Sequence, residues 1–186
     1  WDIAPPPLLR HAASGDTGAI RESLLQHGVD VNAPDLLCRT ALEVAVRHGQ
    51  APAVRLLLEH GASVPSRAAG ELSLLHEAVA ANVPEMLPLL ADAGAPLTVA
   101  EGKPSLLQVA LGARCSRHTV QALIELGAPL GTSENEPPLL QLAVDADRRD
   151  AFDALMRAGA PMRGVFATTR TISCGVDGQA KWLGIA

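Results

Sequence analysis

Arg39-Thr40-Ala41-Leu42-Glu43-Val44-Ala45-Val46-Arg47-His48-Gly49, followed by Ala53-Val54-Arg55-Leu56-Leu57-Leu58-Glu59-His60-Gly61-Ala62, reads as two short helices in series. Apolar residues recur at helical spacing in both segments, and a glycine closes the second. The pattern returns along the chain. Gly28, Gly61, Gly94, Gly127 and Gly159 stand 33, 33, 33 and 32 residues apart, and Ala12, Ala45, Ala78, Ala110 and Ala143 stand 33, 33, 32 and 33 apart. Two registers that drift together mark a tandem array, because each unit must offer its neighbour the same packing surface. The glycines stand where the chain leaves each second helix in a left-handed conformation that glycine adopts cheaply. The recurrent alanine has no side chain to hold neighbours apart, so the first helices can stack closely. Val29, Ala62, Ala95, Ala128 and Ala160 follow the glycines, and the polar, Pro-rich stretch beyond each is a projecting loop.

Composition agrees with small, close-set helices. Hydrophobic residues make up 48% of the 186 and aromatics only 2% (Trp1, Phe152, Phe166, Trp182), so Leu, Ala and Val build the core. In an array the core grows by addition, and length sets no limit on burial. Net charge is -5 with no run of Lys or Arg and no aromatic platform among basic residues, which argues against nucleic acid. No apolar stretch reaches the roughly 18 residues that span a bilayer, and no signal-peptide series opens the chain. The chain starts at Trp1 rather than methionine, which implies a preceding segment that would carry any targeting peptide.

The repeat resembles the ankyrin repeat over about residues 7 to 163, five units. The family's Thr-Pro-Leu-His box has counterparts in Thr40-Ala41-Leu42-Glu43, Ser73-Leu74-Leu75-His76, Ser105-Leu106-Leu107-Gln108 and Pro138-Leu139-Leu140-Gln141, and degrades to Pro7-Leu8-Leu9-Arg10 in the first unit. Leu24 to Asn32 also matches the family's unit ending. The resemblance implies an all-α solenoid of about five helix-hairpin repeats over residues 1–163, with 164–186 as a short β-like C-terminal extension. Three departures bear on detail. The loop glycine usual two residues before the Thr is replaced by Cys38, Glu71, Lys103 and Glu136, so the tips need not share one turn geometry. Pro88, four residues after Pro84, falls in the body of the third unit's second helix, where a proline costs about 3 kcal/mol, and predicts a shortened or bent helix. Gly127 lies 17 residues after Ala110 where other units show 16, so the loop around Cys115 should bulge.

Chemistry-bearing residues read mostly as structure. Cys38 and Cys115 fall two units apart, roughly 20 Å if layers stack at about 10 Å, beyond the about 7 Å a disulfide spans; reduced thiols fit a cytoplasmic setting. Cys115 with His118, and Cys174 near Asp177, lack an orienting third group for nucleophilic catalysis. His27 and His60 precede helix-ending glycines, where a donor complements the carbonyl end of a helix. His76 fills the box position, which in the family hydrogen-bonds neighbouring loops. His11 and His48 would face the inner side of adjacent units, with no third ligand for a metal. No cofactor, metal site or catalytic residue is expected.

Beyond Gly164 the rhythm ends. The β-branched stretch 165–172, a turn-like cluster at 174–178 and the apolar stretch 179–185 predict a β-hairpin. Phe166 and Trp182 would let it cap the last unit; a strand offered to a partner, or the start of a further domain, are the other readings.

The resemblance places recognition at the loop tips and along the inner face of the first helices. The tips are Leu36, Leu37 and Arg39; Arg67 and Glu71; Glu101 and Lys103; and Glu134, Asn135 and Glu136. The inner face takes His11, Val44, Arg47, His48, Glu77, Ala80, Asp145 and Ala146. Leu36 and Leu37 are the apolar anchor, unless they pack under a neighbouring loop. Arg39, Arg47 and His48 against Glu134, Glu136 and Asp145 predict a positive-to-negative gradient along the groove, which would speed encounter with a matching partner. The resulting expectation is a monomeric, non-enzymatic, cytoplasmic adaptor or inhibitor that binds a folded protein, with neither nucleic acid nor membrane as partner. Thirteen arginines against two lysines suit a GC-rich, bacterial source. The alternatives are the targeting domain of a larger enzyme or secreted bacterial effector, and a self-associating structural unit.

Overall fold

A computed structural model describes residues 7–25, 29–65, 73–98, 103–131 and 138–161, and the backbone of 172–174 and 180–182. Within them the chain forms five helix pairs: α1 Pro7–Ser14 with α2 Thr17–Leu25, α3 Ala41–Arg47 with α4 Ala51–Glu59, α5 Leu74–Ala80 with α6 Met86–Asp92, α7 Leu106–Gly112 with α8 Arg117–Glu125, and α9 Leu139–Asp145 with α10 Arg149–Arg157. Contacts run α1 to α3 to α5 to α7 to α9 in one layer and α2 to α4 to α6 to α8 to α10 in the other, each helix also touching its hairpin mate. The array is thus an all-α solenoid of five repeats. In the tail, β1 Ile172–Cys174 pairs antiparallel with β2 Ala180–Trp182, Ser173 opposite Lys181; the pairing is as expected, but β1 includes Cys174, which the sequence reads as turn, and 165–171 lie outside the described residues. Phe166 and the side chain of Trp182 lie outside the described residues.

Stacking follows from the alanine beat. Ala12, Ala45, Ala78, Ala110 and Ala143 are all 0% exposed, each enclosed in the first-helix layer. Around them Leu9, Leu42, Leu75, Leu107 and Leu140 fill the same phase of successive units. The second helices contribute Ile20, Val54, Leu87, Val120 and Phe152 to one continuous core. Burial at about 25 cal/mol per Å² of apolar surface drives the pile, since helices of seven to nine residues are too short to persist alone.

Helix endings repeat as faithfully. At Gly61 the amide donates to Leu58 O at 3.0 Å and the next amide, of Ala62, reaches back to Leu57 O at 2.9 Å, satisfying carbonyls the helix would leave open. The same pair of bonds recurs at Gly94, Gly127 and Gly159, with φ of 85°, 89°, 77° and 84° over the four units. No atom lies within 4 Å of where a Cβ would stand at these glycines, so backbone sign, not space, demands glycine. Gly28 lies outside the described residues.

First helices end likewise, but glycine is replaced. Asn82, Arg114 and Asp147 take φ of 55°, 51° and 54° where the second unit has Gly49 at 71°. For a side-chain-bearing residue this conformation costs roughly 1–2 kcal/mol. Asn82 recovers the cost: its Oδ1 accepts from Ser116 N at 2.7 Å and from Thr119 Oγ1 at 2.9 Å, tying the third unit to the fourth. Arg114 is exposed and has no comparable bond among the described residues. Arg114→Gly should therefore raise unfolding free energy by about 1 kcal/mol, whereas Asn82→Gly should lower it by about the same. Urea titrations of the two variants check the sign; stabilisation by both would mean that the Asn82 bridge contributes nothing.

Of two departures, Pro88 gives the shortened helix expected of it, and the fourth-unit loop differs from expectation. Pro88 is the third residue of α6, within the first turn, where an N–H would have no helical acceptor in any case. The helix is shortened to seven residues against nine in α4, α8 and α10, and the interior-proline cost does not arise. The extra residue of the fourth unit, by contrast, does not bulge outward. Cys115 turns inward to 3% exposure with its thiol on Val79 O at 3.2 Å, and Ser116 caps α8 by accepting from Thr119 N.

Candidate functional site

The second unit's projecting loop carries the site. Asp35 builds it: Oδ1 accepts from Leu37 N at 2.8 Å and from Arg39 N at 2.9 Å, while Oδ2 takes Arg39 Nε at 3.0 Å and Nη2 at 2.7 Å. Backbone bonds from Cys38 N to Asp35 O and from Asp35 N to Arg39 O close the turn at 2.9 Å each. Cys38 sits at φ 57°, taking the left-handed conformation that a glycine usually supplies at this place. The Arg39 guanidinium, with the amides, holds the Asp35 carboxyl below its ordinary range, so the pair stays charged at neutral pH. A loop tied this firmly leaves two side chains outside. Leu36 is 75% and Leu37 68% exposed; neither packs under a neighbouring loop.

Beside the tip, between the first and second units, lies a hollow of about 230 Å³ lined by Leu9, Arg10 and Ala13 of α1, Asp35 and Arg39 of the loop, and Glu43, Val44, Arg47 and His48 from α3 and its end. Its floor is apolar, with Leu9 and Val44 nearly covered. Glu43 is drawn back into the start of α3, where it accepts from Thr40 N at 2.8 Å in a capping box. Asp35 and Arg39, which line the hollow, flank the leucine pair in the loop.

Of the sequence-predicted residues, the structure brings together Arg39, Arg47 and His48 around the hollow, with Leu36 and Leu37 in the loop between its lining residues Asp35 and Arg39. Arg39 and Arg47 are not open positive charges, however. Arg39 is committed to Asp35, and Arg47 reaches Glu77 of the next unit at 3.4 Å, so the positive end of the anticipated gradient is largely offset. Glu77 belongs to that pair. Asp145 is exposed on the last first-helix and accepts from Gln141 Nε2 at 2.8 Å, far from the hollow in chain position. Lys103 is half-buried at the start of the fourth unit. Arg67, Glu71, Glu101, Glu134, Asn135 and Glu136 lie outside the described residues, as does His27.

His11 is a correction. Its Nδ1 lies 3.2 Å from Ser23 Oγ on α2, so it turns away from the inner face. Ser23 occupies the phase filled by Leu57, Leu90 and Leu123 in later units, and a buried hydroxyl there needs a partner. Arg10, not His11, lines the hollow, and the sequence carries a signal for it. Residues in its phase are drawn back by a preceding hydroxyl in Thr40–Glu43, Ser73–His76 and Ser105–Gln108. The degraded box of the first unit has no such hydroxyl, which leaves Arg10 to project.

His60, His76 and Cys115 serve the structure. His60 Nδ1 donates to Leu56 O at 2.9 Å at the end of α4. His76 accepts from Ser73 Oγ through Nδ1 at 2.8 Å and donates from Nε2 to Pro104 O of the next loop at 3.1 Å. Asn32 performs the same bridging one unit earlier, accepting from Ser63 N and Oγ. Burial pushes the Cys115 thiol up, against the weaker pull of Arg148, so it is a poor nucleophile, and His118 is exposed. In the folded protein Cys38 should react with a disulfide reagent within minutes and Cys115 only on unfolding. A thiol count against time checks this; rapid labelling of Cys115 would mean that the third and fourth units part readily. Among the described residues no group of three or more His, Cys, Asp or Glu is placed to hold a metal ion, and no helix is long and apolar enough to cross a membrane.

Comparison with known proteins places this architecture. The family model for ankyrin repeats (many copies) matches residues 8–58. An ankyrin repeat protein of fowlpox virus, strain NVSL, is 40% identical over 72 residues, which is 39% of this chain and 11% of that protein. The aligned segment is thus a small part of a much longer relative.

Proposed function

Since this chain belongs to the ankyrin-repeat family, whose repeats generally serve as protein interaction modules, we propose that it is a non-enzymatic adaptor or inhibitor that binds a folded protein partner through the tip of its second unit and the adjoining groove. One observation carries this reading: two leucines stand exposed on a loop closed by four hydrogen bonds that involve its backbone and two more between the Asp35 and Arg39 side chains. A soluble surface gains nothing from such a pair, and a partner that covers it gains apolar burial without ordering the loop first. Residues 1–163 form the recognition unit on this reading and 164–186 its cap. The chain acts as a monomer in the cytoplasm, and neither nucleic acid nor membrane is its target.

The test is capture of the partner, identified by mass spectrometry from the native lysate, with the chain and with an Arg47→Glu, His48→Glu variant. Capture should be lost while the melting midpoint moves by about 3 °C or less, since an exposed pair such as Arg47–Glu77 contributes at most about 1 kcal/mol. Undiminished capture would remove the groove from the reading. The length of the fowlpox relative beyond its aligned segment favours a second reading, a targeting module within a larger enzyme or secreted effector. The full open reading frame separates the two.

A further inference from the structure

The hollow beside the tip has a chemistry of its own. Three arginines line it, Arg10, Arg39 and Arg47, against two carboxylates, on a chain whose net charge is -5. Position separates the signs. The Asp35 side chain is 6% exposed and both of its oxygens accept hydrogen bonds from the tip; Glu43 is folded back on Thr40. The guanidinium groups project instead: Arg10 and Arg47 are exposed, and the Arg47 side chain remains 57% exposed despite Glu77. His48, also exposed, adds a further nitrogen at the rim. Below these lies an apolar floor of Leu9, Ala13 and Val44, and beside them stand Leu36 and Leu37.

Resting on the reading of this face as a protein-binding site, we infer that the hollow receives a partner segment in which a carboxylate side chain stands next to a bulky aliphatic or aromatic one. The carboxylate meets Arg10 and Arg47 at the rim, and the apolar side chain covers the floor against the leucine pair. Arginine presents planar, paired donors that match a carboxylate. Arg39 and Arg47 already share a carboxylate each and Glu43 is turned onto Thr40, so formal charges balance and only the projecting Arg10, with the exposed side of Arg47, is left to meet one carboxylate, short of a phosphate's two charges.

A display library of random peptides panned on the immobilised full chain tests this. Enriched peptides should carry Asp or Glu beside Leu, Ile, Phe or Trp. An Arg10→Ala, Arg47→Ala variant should weaken binding of one enriched synthetic peptide by about tenfold or more, and replacing its acid with the matching amide should do the same. Circular dichroism confirms that the variant keeps its helices. Enriched peptides without an acid, or peptides that survive the arginine substitutions but are lost on Leu36→Ala, Leu37→Ala, would overturn the charge assignment while leaving the groove reading standing. Peptides indifferent to all four substitutions would remove both.

Discussion

Replacing Leu107 with alanine is expected to lower the unfolding free energy by about 3 kcal/mol, within the 2–5 kcal/mol that large-to-small substitutions in closed cores produce. Leu107 is 0% exposed in α7, a helix packed against α5 on one side, α9 on the other and α8 behind. The side chain has no solvent edge into which neighbours could relax, so both the transfer term and the cavity term apply. A loss of this size corresponds to a fall in melting midpoint of about 6–12 °C for a chain of this length. Since each unit touches only its neighbours, the weakened central interface should also broaden the urea transition or divide it. Leu25→Ala is the control: that leucine is 72% exposed, and its truncation should stay within about 0.5 kcal/mol. A Leu107→Ala variant that loses under 1 kcal/mol would show that the first-helix layer is not stacked as described.

The second large effect falls on recognition and leaves stability alone. A Leu36→Asp, Leu37→Asp variant should bind the captured partner about a hundredfold more weakly, about 3 kcal/mol, because burying a leucine contributes roughly 1.5–3 kcal/mol and clustered apolar anchors carry most of an interface's energy. Neither leucine supports the fold, as their exposures of 75% and 68% show. The tip is closed through Asp35 and the backbone, and the substitutions leave both in place. Isothermal titration with the purified partner measures the loss, and the urea midpoint should remain within about 0.5 kcal/mol of the parent. Full affinity in the variant would place the contact elsewhere on the array.

How far the sequence reaches can be judged from individual residues. Gly61, Gly94, Gly127 and Gly159 announce the ends of the second helices because a positive φ strongly favours one residue type, and the structure has each of them there. Asn82, Arg114 and Asp147 adopt the same backbone at the ends of first helices without announcing it, since packing and, for Asn82, two cross-unit bonds outweigh local preference. Pro88 signals the shortened helix, but its place in α6 depends on where the helix starts, which a periodic pattern locates only to within a few residues. Leu36 and Leu37 were legible as a tip. The hollow beside them was legible only in part: Arg47 and His48 were placed on the inner face, but Arg10 was passed over for His11.

By itself the sequence determined the repeat length, the helix pairs, the stop at each second helix and the alanine seam, all consequences of one packing surface offered again and again along the chain. Only the tertiary structure decided the charge of the groove. Whether an arginine is free or spent depends on which carboxylate folding brings within reach: Asp35, four residues away, neutralises Arg39, and Glu77, thirty residues away, is drawn to Arg47 by the stacking of α3 on α5. The second distance comes from the pile as a whole, and no single unit contains it.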